Sequence, residues 1–220
     1  MVQRTKVRLS RETVTRAAVA LADTEGLDAL TIRRLATDLG VTPMALYWHF
    51  KDKDALFDGI AEAVLAEVRL PGGAEDSEPW DAQLRTLLDA LLGVLAEHPA
   101  VADLVKGRFL QNEPGRQITE RVLALLRAGG FSPEQAAQLA VYALLFMVGL
   151  ITGMPGRAIG SSDEERDQQV RNKWASLQAL PPKTYPCIID SAESLTDCTA
   201  TDQWLELGMD TLMAGIRGRA

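Results

Sequence analysis

Residues 31–50 read TIRRLATDLGVTPMALYWHF. Thr31 is placed to cap a helix carrying Ile32, Leu35, Ala36 and Leu39 at three- and four-residue spacing, and Gly40 supplies the left-handed exit at its end. A second helix opens at once, with Thr42 as its cap and Pro43 at the first helical position, where a missing N–H costs nothing. Two short helices joined by a tight glycine-containing turn have the form of a helix-turn-helix. Leu35, Leu39, Leu46 and Phe50 would lock the pair against neighbouring helices, leaving Arg33, Pro43, Met44, Ala45, Tyr47, Trp48 and His49 outside. That outer face is small or apolar at its start and aromatic and polar further on, so it suits base edges and thymine methyls first and phosphates afterwards. Tyr47, Trp48 and His49 are consecutive and cannot share one buried helical face.

Outward from this pair the chain stays helical. Upstream, Ser10 caps a helix with Val14, Ala17, Ala18, Leu21 and Ala22 on one stripe, ending at Gly26. Downstream, Asp52 caps a helix from Lys53 to about Val68 with Leu56, Phe57, Ile60 and Val64 inward, and Lys53 adds its charge to the positive end of that helix as a phosphate clamp. PGGAEDSEP at 71–79 is a loop of breakers and acids, and helices are expected at 80–97, 100–111, 115–129, 132–154, 163–179 and 201–217. The fold class is all-α. Residues 1–55 are expected to form a three-helix unit carrying the helix-turn-helix and 56–220 a second helical unit, with the helix at 53–68 linking the two.

The formal charge of −7 argues against nucleic acid until its distribution is read: residues 1–55 hold 9 Lys+Arg against 7 Asp+Glu, and the rest 14 against 23. Arg4, Lys6, Arg8, Arg11 and Arg16 stand in the first sixteen residues against Glu12 alone, a basic arm able to track a phosphate backbone. Only two cysteines, Cys187 and Cys198, and two histidines occur, with no CxxC, HExxH or GxxxxGK[ST]. No metal, cofactor or catalytic constellation is therefore expected, and a reducing cytoplasm suits the thiols. The apolar run from Leu139 to Met154 would span only about 24 Å at about 1.5 Å per residue, so a buried helix is expected rather than a membrane span.

The run Leu46-Tyr47-Trp48-His49-Phe50-Lys51-Asp52-Lys53-Asp54-Ala55-Leu56, preceded by Thr31-Ile32-Arg33-Arg34-Leu35-Ala36 and Gly40-Val41, strongly resembles the tetracycline-repressor (TetR) family of transcriptional regulators. The resemblance is close over roughly 8–60 and loose beyond it. It implies a homodimeric repressor, released from a near-palindromic DNA operator by a small-molecule effector. By it, Tyr47, His49 and Lys53 contact the DNA backbone, and Arg33, Thr42, Pro43, Met44, Ala45 and Trp48 read bases.

In the C-terminal part Leu205, Gly208, Met209, Leu212 and Ile216 recur on one stripe, and Ala136, Ala140, Ala143 and Gly149 offer small residues on the long apolar helix. Paired with their copies in a second subunit, the two helices would make a four-helix dimer interface. Phe109, Tyr142, Phe146, Met147 and Trp174 are the candidates to line an apolar effector cavity, with Arg108 or Asp89 to orient a polar group. His98, before Pro99, reads as a helix-end residue. A DNA-binding regulator without an effector is the principal alternative, and a small helical enzyme the remote one.

Overall fold

The computed structural model describes residues 9–70, 77–156, 162–197 and 201–220. Among them every regular element is helical: α1 Arg11–Glu25, α2 Ile32–Leu39, α3 Pro43–Tyr47, α4 Lys53–Ala66, α5 Trp80–Glu97, α6 Ala102–Arg108, α7 Glu113–Ala128, α8 Pro133–Thr152, α9 Asp163–Gln178, α10 Pro186–Asp190, α11 Ala192–Thr196 and α12 Thr201–Arg217. Short 3₁₀ turns, Pro99–Val101 and Phe109–Gln111, flank α6.

The expected helix at 100–111 is thus broken at both ends, and α7 starts two residues before its expected 115. Pro114 punctuates nothing there. It sits in the first turn of α7, where no N–H is needed, and the Asn112 side chain caps by accepting from the Gly115 N–H at 2.9 Å. Helices α10 and α11 lie in a stretch where no helix was expected.

The first four helices pack as α1 on α4 and α2, and α2 on α3. Val14, Ala18, Leu35, Leu46, Phe50, Leu56 and Ile60 are buried there. Phe50 rests over Gly59, whose missing side chain leaves the ring its space. The C-terminal body packs α5 on α7, α7 on α8, α8 on α6 and α12, and α12 on α5. Arg85 with Asp210, Arg217 with Asp81 at 2.7 Å, and the Trp204 indole N–H donating to the Leu150 carbonyl at 3.0 Å hold α12 in place. The two halves share one continuous apolar core, because α4 also packs on α5, α6 and α7.

The interface stripe expected on α8 and α12 is in part committed to the chain's own core. Ala143, Met209 and Ile216 are buried inside their own chain, and Ala140, Leu205 and Leu212 are half-buried against the same core. What these helices turn outward is Val141, Tyr142, Leu145 and Phe146 on α8 and Leu207 on α12. Helix α8 is long and apolar enough to cross a bilayer by those measures alone. Both of its faces are apolar, so spacing alone could not tell the face that packs on α6, α7 and α12 from the face left open. Helix α9 buries none of its residues.

Candidate nucleic-acid interface and effector cavity

The turn between α2 and α3 is built entirely from local chemistry. The Thr31 hydroxyl accepts from the Arg34 N–H at 3.1 Å, and Gly40 adopts φ 67° while its N–H reaches the carbonyls of Ala36 and Thr37. The Thr42 hydroxyl accepts from the Ala45 N–H at 3.3 Å, with Pro43 beginning α3. Helix α3 ends at Tyr47, earlier than the spacing indicated, because the N–H groups of His49 and Phe50 both return to the Leu46 carbonyl at 2.9 Å. That turn swings the Phe50 ring into the core. Trp48 and His49 consequently stand on the turn after α3 and not on the helix itself.

The surface so formed is fixed from behind and open in front. Arg11 holds it to α1, donating to the His49 carbonyl at 3.3 Å with its guanidinium 4.5 Å from the centre of the Phe50 ring. Arg34 spans Glu25 and Asp38, whose carboxylates hold its guanidinium proton more tightly than usual. In front, Trp48 is 85% exposed, Met44 67% and Tyr47 47%. Arg33, Thr42 and Pro43 are also exposed, whereas Ala45 and His49 are half-buried. Lys53 is exposed at the first residue of α4, its ammonium 5.0 Å over the Phe57 ring, beside the Asp52 carboxylate that accepts the Ala55 N–H at 2.7 Å. Of the expected basic arm, Arg4, Lys6 and Arg8 lie outside the described residues. Arg11 is engaged as above, and Arg16 pairs with Glu12.

A cavity of about 450 Å³ opens between α5, α6, α7 and α8. This is within the range usual for small-molecule sites, ~300–1,000 Å³. Leu88, Leu91, Ile118, Val122, Ala143 and Met147 are buried residues of its wall, and the segment Lys106–Gln111 contributes five residues, Arg108 alone being absent. Two of the five residues expected to line it, Phe109 and Met147, do so. Tyr142, Phe146 and Trp174 do not: the first two lie on the outward face of α8, and Trp174 is on α9 with 46% exposure. The small residues Ala140 and Ala143, which looked suited to close helix packing, border the cavity instead, as does Ala137.

Neither charged candidate enters the cavity. Asp89 pairs with Arg85 at 2.6 Å. Arg108 turns the other way, donating to Asp58 at 2.9 Å and Asp54 at 3.0 Å on α4, with its guanidinium 5.6 Å from the centre of the Phe57 ring. One short segment therefore forms cavity wall on one side and a clamp on α4 on the other.

A second junction escaped the sequence reading. His98 closes α5, and its Nδ1 lies 2.7 Å from Asp23 of α1 while Nε2 lies 3.3 Å from Glu67 after α4. Partial burial disfavours the imidazolium, but the hydrogen bond and charge of Asp23, with Glu67 behind them, outweigh it and raise the His98 pKa. Glu97 adds a further carboxylate nearby. No signal in the sequence pairs His98 with residues so distant along the chain.

A rigid, outward-facing helix-turn-helix coupled through α4 to a cavity-bearing helical body defines a class of protein, the ligand-responsive transcriptional regulators. Residues 14–60 match the sequence model of bacterial regulatory proteins of the tetR family, and residues 71–220 match that of the tetracyclin repressor-like C-terminal domain. The chain is 34% identical over 216 residues to the Escherichia coli tetracycline repressor protein class A from transposon 1721, covering 96% of this chain and 92% of that one. It is 30% identical over 209 residues to the Escherichia coli class C repressor, at 95% and 91% coverage. In structure it resembles the Streptomyces coelicolor TetR family protein ActR in complex with actinorhodin, with a TM-score of 0.76, 27% identity and coverage of 97% and 99%. The chain belongs to the TetR family, and it is a ligand-responsive DNA-binding transcriptional repressor.

Proposed function

We propose that this repressor works in the cytoplasm, without catalysis, as a homodimer on a near-palindromic operator, with residues 1–55 as its DNA-binding domain and residues 56–220 carrying the effector site and the dimer contacts. Arg33, Thr42, Pro43, Met44, Ala45 and Trp48 face the bases, and Tyr47, His49 and Lys53 the backbone. The observation that carries this reading is the exposure of Met44, Tyr47 and Trp48 on a surface that every buried contact behind it holds rigid. Large apolar groups kept open at such a place are best accounted for by an occupant that covers them. The open face of α8 supports the dimer, which must hold two reading surfaces about 34 Å apart for successive major-groove faces. This assigns the subunit contact to Tyr142 and Phe146, with Val141 and Leu145, which also border the cavity, at its edge.

The segment from Lys106 to Gln111 supplies the route of release. An effector pressing on that wall moves Arg108, and with it the carboxylates of α4. The dimer leaves DNA only if the effector prefers the displaced arrangement. Operator titration across salt concentrations tests the docking. Lys53→Ala should lower the counterion slope by about one unit and weaken binding to all sequences alike. An unchanged slope would place Lys53 away from the phosphates.

A further inference from the structure

Resting on the reading of the cavity as the effector site, we infer the chemistry of its ligand: an aliphatic amphiphile whose hydrocarbon body lies among α5, α7 and α8 and whose single anionic head meets Lys106. The wall decides the body. Among the described residues its wall has eighteen, which include no Asp, Glu, His, Asn, Ser or Tyr and one aromatic ring, Phe109. A ligand dense in hydroxyl, carbonyl or amide groups would surrender water at each of them with little in exchange, at roughly tenfold in affinity per uncompensated group. A planar polycyclic ligand would find one ring to stack on. A flexible alkyl body finds leucine, isoleucine, valine, alanine and methionine on every side.

The three polar side chains of the wall decide the head. Thr119 already donates its hydroxyl to the Gly115 carbonyl at 2.8 Å, and Gln111 directs its amide N–H towards the Gly107 carbonyl at 3.4 Å. Among the described residues Lys106 is the only charged member of the wall. Its ammonium gives one hydrogen to Asp103 at 2.7 Å and retains others. Lys106 and Gln111 are exposed and Thr119 is half-buried, whereas Leu88, Leu91, Ile118 and Val122 are buried, so the charge stands at the open side of an apolar cavity. One anionic group at that rim keeps part of its hydration and gains a charge-assisted hydrogen bond. Tetracycline, which names several of the relatives, carries a dense array of oxygens and does not fit this description.

Calorimetric titration of the full chain with octanoate, decanoate, dodecanoate, decanol and tetracycline, paired with operator release, tests the assignment. The carboxylates should bind one per protomer and tighten about fourfold per added methylene. Decanoate should exceed decanol by about tenfold, and Lys106→Gln should erase that preference. A flat chain-length series, equal binding of decanoate and decanol, or tighter binding of tetracycline would overturn it. Release of the operator by tetracycline alone would sink the ligand class and leave the proposed function standing. Binding of the carboxylates as described, with the operator still held, would uphold the class and sink the proposed release.

Discussion

The α2–α3 pair and the α8–α9 pair are determined in opposite ways. In α2 and α3 each start and stop has a local cause: a threonine hydroxyl on an N–H, a proline at a first turn, a glycine at φ 67°. What the pair buries lies within its own half of the chain. Helices α8 and α9 both begin with complete capping boxes, so their starts are equally local. Their partners are not. Helix α8 leaves four large apolar residues open, and α9 buries none of its own. A cap states where a helix begins and says nothing of what lies against it.

The comparison is open to attack at several points. The largest effect is expected where the local design meets the core: Phe50→Ala should cost about 3–5 kcal/mol, measured as a lowered denaturation midpoint, with loss of ordered DNA binding. A loss below about 1 kcal/mol would mean that the α3 turn does not depend on the ring it delivers.

Tyr142→Asp attacks the other pair. The residue is 60% exposed and is not part of the cavity wall between α5 and α8, so helical content should survive. Sedimentation should show monomers, and operator affinity should fall by on the order of a hundredfold, as expected when an unpaired charge enters an interface. A dimer persisting in sedimentation would move the subunit contact off this face.

A smaller effect is expected from Thr42→Ala, which removes one cap and should lower stability by about 1 kcal/mol. Thr42→Ser, which keeps the acceptor oxygen, should restore most of it. If both variants matched the parent protein in thermal denaturation, capping would not be what defines α3.

The smallest concerns pH. Because the His98 pKa is raised above its ordinary 6.5 in the folded chain, its contribution is full below about pH 6.5 and is lost as pH rises through the raised value. Its ring nitrogens face the carboxylates of Asp23 and Glu67, with Glu97 close by, and Arg11, Glu12, Arg16 and Glu62 border the same depression. Stability measured across that window should decline with rising pH, and His98→Gln should flatten the decline. An unchanged slope in the variant would locate the titration elsewhere.

These contrasts explain what the sequence made legible. The all-α class, the helix-turn-helix and its capping residues were visible because each depends on neighbours within four positions. The early end of α3 was not, since Trp48 and His49 carry no breaker and the turn is driven by the burial of Phe50. On α8, apolar residues all round concealed which face packs, so Tyr142 and Phe146 were expected in a cavity that Ala137 and Ala140 border instead. The long-range pairs Arg108 with Asp54 and Asp58, and His98 with Asp23, join residues 50 to 75 positions apart that no spacing rule connects.

The double duty of the 106–111 segment also constrains how such a repressor can diversify. Five of its residues border the cavity and the sixth, Arg108, grips α4. If release runs through that segment as proposed, selection for a new inducer that alters the wall also resets how firmly the empty repressor holds its operator. Mutants chosen for inducer range should therefore arrive with altered basal expression, and second-site reversions of that defect should gather on α4 around Asp54, Phe57 and Asp58.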